Sequence, residues 1–306
     1  MTQEPQSIAI VGGGIAGLCA AVYARKCGFE VDVLEQHDVP GGLATRWNRG
    51  GYVFETCLHW LLGSNPDGPL HDMWREVCDI DSLQFLYHEE FVRLETEHGE
   101  ILRVFAYVDR LEAEFVRVAP EDAEEVRRFT AAIRHLTDMP FPDPSAGWVE
   151  QGWTILRTLP ELPLLQRLSH VSAEEYGKRF RHPLIRRFFG EGTTARMAVL
   201  ALIFSLAWQS ARNAGYPIGG SQAVTRLIAD RLAALGGRLH RGAAVERILV
   251  EDCTAVGVRL AGGETIRADW VISAADGHAT VYELLEGRYT DPSVDKVFET
   301  YETFPS

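Results

Sequence analysis

At 306 residues and 46% hydrophobic composition, the chain is long enough to bury the cores of two domains, which excludes a disordered segment. Its 43 acidic against 30 basic residues leave a formal charge of −13, so no basic field draws it to nucleic acid. The five cysteines, Cys19, Cys27, Cys57, Cys78 and Cys253, form no CxxC pair and no regular framework, which predicts free thiols in a reducing compartment.

Met1 to Ser7 is polar and lacks a basic region followed by an apolar run, so no secretory signal is expected and the cytoplasm is the predicted location. Ser7 to Val11 reads as a short buried strand. Ile15 to Cys27 reads as a helix with Ile15, Leu18, Cys19 and Val22 on one side, and Phe29 to Leu34 as a second strand. Gly28 stands where a glycine that ends a helix belongs. Between strand and helix lies Gly12-Gly13-Gly14-Ile15-Ala16-Gly17, a G-x-G-x-x-G run in the context that a dinucleotide site requires. Gly12 permits the tight turn, Gly14 lets a pyrophosphate approach the backbone, and Gly17 lets helix and strand pack closely. The amides of Ile15 and Ala16, at a helix N-terminus, face the phosphates. Glu35, followed by Gln36, ends the second strand, where a carboxylate accepts hydrogen bonds from ribose hydroxyls and repels a 2′-phosphate. A glycine-rich turn with a surface glutamate is the alternative. The order strand, triplet, helix, strand, acid favours the dinucleotide site.

A second glycine pair follows in Val39-Pro40-Gly41-Gly42-Leu43-Ala44, and it separates FAD enzymes from plain NAD dehydrogenases; a flexible loop is its structural alternative. The run from Gly12 through Glu35 to Gly41-Gly42, continuing as Thr45-Arg46-Trp47 and Gly51-Tyr52-Val53-Phe54-Glu55, resembles the phytoene desaturase and carotenoid isomerase family of flavoproteins, which also contains retinol saturase. The resemblance implies FAD as cofactor, with Gly41, Gly42 and Leu43 along its flavin end. Many relatives carry arginine where Leu43 stands, so it implies no charged contact to the pyrophosphate from that position. His59, in Cys57-Leu58-His59-Trp60, lies where the chain should pass the flavin and is the one candidate for a proton-handling group; an ordinary core histidine is the alternative.

From about Leu61 to Gly215 the pattern becomes a mix of strands and long helices, an inserted second domain. Phe91 to Glu95 and Ile101 to Phe105 flank His98-Gly99 as a hairpin, and Ala119-Pro120-Glu121-Asp122 starts a helix with acids in its first turn. Pro140, Pro142 and Pro144 break the chain before Trp148 to Leu168, whose Trp153, Leu156, Leu159, Leu162 and Leu165 either wall a lipid-sized tunnel or form ordinary core. Phe180 to Phe189, with Arg181, Arg186 and Arg187, either anchors on a membrane face or forms a solvated helix with a basic patch. Met197 to Trp208 is too short to cross a bilayer, which takes roughly 20 residues, and reads as a buried helix or a greasy surface.

Gly215-Tyr216-Pro217-Ile218-Gly219-Gly220-Ser221 marks the return to the first domain, with Ser221 predicted to cap a helix from Gln222 to Leu235. Arg238 to Val250 holds strand material, Val256 to Leu260 and Thr265 to Ala268 form a hairpin across Gly262-Gly263, and Trp270 to Ala275 reads as a buried strand. This segment also resembles the family, and the resemblance places the backbone of Val245 against adenine; an inward-packing strand residue is the alternative. No second strand-linked G-x-G-x-x-G occurs, so no separate nicotinamide site is expected, and no metal-ligand spacing such as H-x-x-x-H occurs.

The expected architecture is α/β: a Rossmann-like FAD-binding domain with a parallel sheet and a β-meander, residues 1–60 and 215–290, interrupted by a mixed α+β substrate domain, residues 61–214 and 291–306. The resemblance implies a flavin-dependent oxidoreductase acting on a long apolar isoprenoid or polyene, with oxygen or a quinone as electron acceptor and a peripheral membrane contact. An amine-oxidase-like flavoenzyme and a non-catalytic binding module of the GDP dissociation inhibitor type are the alternatives. Family members continue beyond residue 306, where Val297 to Phe304 reads as the start of a strand, so weak FAD binding and exposed apolar surface are expected of the chain as it stands.

Overall fold

The first strand, β1 (Ser7–Val11), is apolar and buried from Ile8 onward, as a strand covered on both faces must be. The computed structural model describes residues 5–55, 57–137, 139, 147–192 and 195–300. After β1, helix α1 (Ile15–Lys26) buries Gly17, Leu18, Ala21, Val22 and Ala24 and carries Arg25 and Lys26 in its last turn, where cations favour the helix dipole. Arg25 also donates to the carbonyls of Phe29 at 2.6 Å and Leu235 at 2.8 Å, closing the turn into β2 (Glu30–Leu34). β1 and β2 pair in parallel, Ser7 opposite Glu30 through Val11 opposite Leu34. The hairpin β3 (Arg46–Arg49) and β4 (Tyr52–Glu55) follows.

The middle of the chain holds β5 (Leu61–Leu62), α2 (Pro69–Val77), β6 (Phe85–Leu86), β7 (Glu90–Glu95) and β8 (Ile101–Phe105). Helices α3 (Val108–Val118), α4 (Ala123–Thr137), α5 (Trp148–Thr158), α6 (Leu162–Ser169), α7 (Ala173–Gly177), α8 (Pro183–Gly190) and α9 (Val199–Ser210) come next. The chain continues with β9 (Ala214–Pro217), α10 (Gly220–Ala234), β10 (Arg238–His240), β11 (Val245–Glu251), β12 (Thr254–Leu260), β13 (Thr265–Arg267) and β14 (Trp270–Ser273). A π-helical turn (Ala279–Leu284) and α11 (Pro292–Thr300) complete the described part. The main sheet has the order β10-β2-β1-β14 with every neighbour parallel, a Rossmann-like arrangement, and β11-β12-β13 forms the expected antiparallel meander.

The described residues fall into two compact units: those within Met1–His59, Trp74–Leu83 and Pro217–Ser306, and those within Trp60–Met73 and Gln84–Tyr216. The second unit is built on a core of Leu111, Phe115, Phe129, Ile133, Phe180, Ile185 and Phe189 among others. Asp122, 5% exposed, takes the backbone N–H groups of Arg181 and His182 at 2.8–2.9 Å, so the acid at the start of α4 satisfies the donors ahead of α8.

Several expectations change here. Phe180, Phe188 and Phe189 are buried, with the Phe180 and Phe189 rings stacked at 5.1 Å, so these phenylalanines fill the core of their unit and cannot insert into a membrane or lie on a solvated face. The Met197 to Trp208 run resolves as α9, with Val199, Leu202, Ile203 and Leu206 buried. From α5 through the turn Leu159–Glu161 into α6, by contrast, Trp153, Leu156, Leu159 and Leu162 are exposed and are not ordinary core, whereas Leu165 packs against the core of the second unit. Pro140, Pro142 and Pro144 lie outside the described residues. β14 exposes Trp270 and Ile272 because it is an edge strand of its sheet. Val297 to Thr300 is helical, the end of α11, whose Phe298 packs edge-on against His278 and Tyr282; the remainder of that predicted strand lies outside the described residues. No helix among the described residues is long and apolar enough to cross a membrane.

Candidate dinucleotide site

At the end of β1 the chain turns through Gly12 at φ +99°, a left-handed conformation that side chains resist, and the Gly12 N–H donates to the Leu34 carbonyl at 2.9 Å. Gly17, in the first turn of α1, has no room for a side chain: a Cβ there would stand 2.0 Å from the Gly12 carbonyl oxygen. A Cβ on Gly13 would meet the Glu35 side chain at 2.9 Å. Gly14 differs from these three. Its φ of −70° and ψ of 177° suit any residue, and a Cβ there would find nothing nearer than the Gly42 Cα at 3.8 Å. Packing within the chain accounts for Gly12, Gly13 and Gly17 and gives no reason for Gly14.

Glu35 is 5% exposed at the end of β2. Its Oε2 accepts the Gly13 N–H at 2.8 Å and its Oε1 the His37 N–H at 2.9 Å, so the carboxylate is tied directly to the glycine turn. Its own N–H donates to the His240 carbonyl at 2.9 Å, and its carbonyl accepts from Ala243 at 2.8 Å. Those bonds bring the approach to β11 alongside Glu35. Val245, first residue of β11, is half-buried and packs with Val11, Leu34, Ala243 and Ile248. Gln36 is exposed.

The second glycine pair folds onto the first. The Gly41 N–H donates to the Gly13 carbonyl at 2.9 Å, Gly14 and Gly41 form a parallel bridge, and the Ala44 N–H closes the loop on the Gly41 carbonyl at 3.0 Å. Gly41, at φ +140°, leaves no room for a Cβ, which would stand 2.6 Å from the Ala44 carbonyl oxygen. Leu43 projects outward, 78% exposed. Ile15 and Ala16 form the first turn of α1, where backbone N–H groups have no intrahelical acceptor. Thus Gly12, Gly14, Ile15, Ala16, Gly17, Glu35, Gly41, Gly42 and Val245 gather at the ends of β1 and β2. His59 is exposed in the loop after β4, so it is not a core histidine; its N–H donates to the Cys57 carbonyl at 3.2 Å.

Sequence patterns missed three parts of this site. Gly13, an unassigned position of the motif, supplies the amide that holds Glu35. Asp32 in β2 receives Arg238 through two hydrogen bonds of 2.7 Å and His240 at 2.6 Å, which locks β10 beside β2; an acid set between the buried Val31 and Val33 was the available signal. The Arg238 guanidinium foremost, with His240, holds the Asp32 carboxyl below its ordinary range against the opposing effect of burial. Finally, Ser221 does not cap α10. Gly219, at φ +94°, occupies the cap position, and the Ser221 N–H is taken by the Glu55 carboxylate at 3.1 and 3.2 Å.

Residues 10–77 match the family described as NAD(P)-binding Rossmann-like domain. A phytoene desaturase (neurosporene-forming) of Cereibacter sphaeroides is 27% identical over 301 residues, 93% of this chain and 56% of the desaturase. Prolycopene isomerase 1, chloroplastic, of an Oncidium hybrid cultivar is 26% identical over 295 residues, 92% of this chain and 50% of the isomerase. The chain therefore spans little more than half the length of the curated relatives it matches. An oxidoreductase from Methanosarcina mazei of solved structure superimposes with a TM-score of 0.62 at 20% identity, over 97% of this chain and 65% of that one, which shows the fold. The chain carries a Rossmann-like dinucleotide-binding domain and is similar, over most of its length, to phytoene desaturases and prolycopene isomerases.

Proposed function

We propose that the chain carries the FAD site of a flavin-dependent oxidoreductase acting on a long apolar isoprenoid or polyene. The observation that carries this reading is Gly14: its missing side chain serves no packing within the chain, yet it stands between the start of α1 and the Gly41–Gly42 loop. A backbone left bare at a helix N-terminus is what a diphosphate needs for close approach, so the residues present fit the cofactor.

The amides of Ile15 and Ala16 hold the diphosphate, where the partial positive charge of α1 supplies the attraction without a basic side chain. Glu35 accepts from the ribose hydroxyls; each of its oxygens retains acceptor capacity beyond the Gly13 and His37 amides. The Val245 backbone would meet the adenine edge, and Gly41, Gly42 and Leu43 would line the flavin end. FAD, when bound, supplies hydride transfer at its N5. The apolar substrate class is supported by the names of the relatives, a phytoene desaturase and a prolycopene isomerase. Oxygen or a quinone would be the electron acceptor.

The test has two stages. Absorbance and fluorescence spectra of the chain purified with added FAD, followed by identification of the heat-released cofactor, establish binding. Anaerobic addition of apolar polyenes should then bleach or restore the flavin absorbance. Because weak binding is expected, it is the absence of any change in flavin fluorescence in an equilibrium titration with excess FAD that refutes the cofactor assignment, and unchanged absorbance across several polyenes refutes the substrate class.

A further inference from the structure

Helix α10 begins without the usual devices of a helix start. Its cap residue is glycine, no side chain caps it, and its first turn contains no acid. The missing carboxylate comes from Glu55, 166 positions earlier, whose two oxygens both accept the Ser221 N–H. The first helical residue is shaped for this contact. A Cβ on Gly220 would stand 1.9 Å from Glu55 Oε1 and 2.1 Å from Oε2, so only glycine lets the carboxylate lie over the first turn.

The contact has a direct line to the second glycine loop. Glu55 ends β4 and pairs across the hairpin with Arg46, the residue at which the chain leaves that loop and enters β3. One turn beyond Ser221 on α10, the Thr225 Cγ2 lies 3.3 Å from where a Gly41 Cβ would be. Pro40 and Arg46 on one side and Gly219, Ala223 and Thr225 on the other line one groove of about 590 Å³. Loop and hairpin are thus both referenced to the first turns of α10: the loop by its close approach to Thr225, the hairpin by the hydrogen bonds of Glu55.

We infer that Glu55 is a positioning residue for the cofactor loop: by fastening the β3–β4 hairpin to the start of α10, it holds Gly41 and Gly42 against Gly13 and Gly14. The consequence for the cofactor rests on the FAD reading above; the geometry does not. Removing the carboxylate frees the hairpin, and the first bonds to loosen are Gly41 N–H to the Gly13 carbonyl and Ala44 N–H to the Gly41 carbonyl.

The test is amide hydrogen exchange on the whole chain without FAD, for the wild type, Glu55→Gln and Glu55→Ala, with an FAD titration of each in parallel. Loss of a helix cap predicts exchange at Gly41 and Ala44 faster by about five- to tenfold in Glu55→Ala, with Ile10 and Val33 in the central strands unchanged. Glu55→Gln keeps an acceptor oxygen and falls between the two, so it carries the test if the alanine variant does not fold. FAD affinity should drop by a similar factor and in the same order. Unchanged exchange at Gly41 and Ala44, or a rise spread equally over Ile10 and Val33, overturns the inference. Faster local exchange with undiminished FAD affinity overturns its consequence for the cofactor. If the wild type takes up no FAD while the local exchange responds as expected, the positioning of the loop stands and the flavin reading is what fails.

Discussion

Alanine at Gly17 and alanine at Gly14 should separate packing from ligand binding within a single motif. At Gly17 the new carbon would lie 2.0 Å from the Gly12 carbonyl oxygen, a full ångström inside the nearest approach that real Cβ atoms make. Both partners are backbone, in α1 and in the turn after β1, so neither swings aside and the helix must shift off the sheet. Overpacking of this kind costs about 1–3 kcal/mol or more, and a backbone clash belongs at the upper end. Alanine returns about 1 kcal/mol through helix propensity. The net loss of about 2 kcal/mol lowers the melting temperature by about 4–8 °C for a unit of this size. At Gly14 the methyl meets only the Gly42 Cα at 3.8 Å, and the cost is limited to replacing a glycine cap by alanine, about 1 kcal/mol or less. That methyl nevertheless stands where the diphosphate must approach, so FAD affinity should fall at least about tenfold, equivalent to about 1.4 kcal/mol. Calorimetric melting of both variants without FAD, with a flavin fluorescence titration of Gly14→Ala and wild type, tests the pair. If Gly14→Ala melts as low as Gly17→Ala, or binds FAD as the wild type does, the assignment of Gly14 to a ligand is wrong.

The Asp32–Arg238–His240 cluster gives stability with a definite pH signature. The folded carboxyl titrates below its ordinary value of 3.8, so its contribution is present above that value and is lost as the pH falls through the lowered one. Asp32→Asn should therefore cost about 1 kcal/mol at pH 7, discounted for the exposed Arg238, with the difference from wild type closing below pH 3.8; a gap that persists in acid contradicts the ion pair. Burial pushes the Cys19 thiol up to about 11 and the Cys78 thiol up to about 12, while Cys27, Cys57 and Cys253 are exposed. Mass spectrometry after brief iodoacetamide treatment at pH 8 should find the latter three alkylated first, and equal labelling of Cys78 would rule out its burial. Phe189→Ala empties the centre of the second unit's aromatic cluster, where Phe129, Phe180 and Phe188 lie 4.9–5.1 Å away. It should cost about 3–5 kcal/mol, read from the melting of the helical signal, and a wild-type melting curve would disprove the core placement.

Local requirements were legible and long-range partners were not. The Gly12 turn, the Gly17 approach and the acid at Glu35 belong to one β1–α1–β2 unit, where each demand is met by residues close in sequence. Phe180 to Phe189 carries an apolar face that is equally visible from sequence, but such a face states only that something covers it. A membrane and the Phe115–Phe129 side of the core satisfy the same pattern, and burial decides for the core. Ser221 shows a local rule overridden: a serine before an apolar run signals a cap, yet Glu55 takes the amide and the helix starts two residues earlier than expected, at Gly220. Likewise the run from Val297 to Phe304 reads as the start of a strand, whereas Pro292 at the start, with Val294 and Phe298 four apart, supports the helix that packs on His278 and Tyr282.

By itself, then, the sequence determined the fold class, the glycine turn with its acid, and the meander that returns the chain to the first domain, because periodicity and glycine stereochemistry act over a few residues. Only the tertiary structure decided that Gly13 holds Glu35, that the two glycine loops meet as Gly14 against Gly41, and that Glu55 closes the start of α10. These contacts join residues separated by one to many elements, and no local pattern encodes a partner that only the packing of the sheet and helices brings within hydrogen-bond reach.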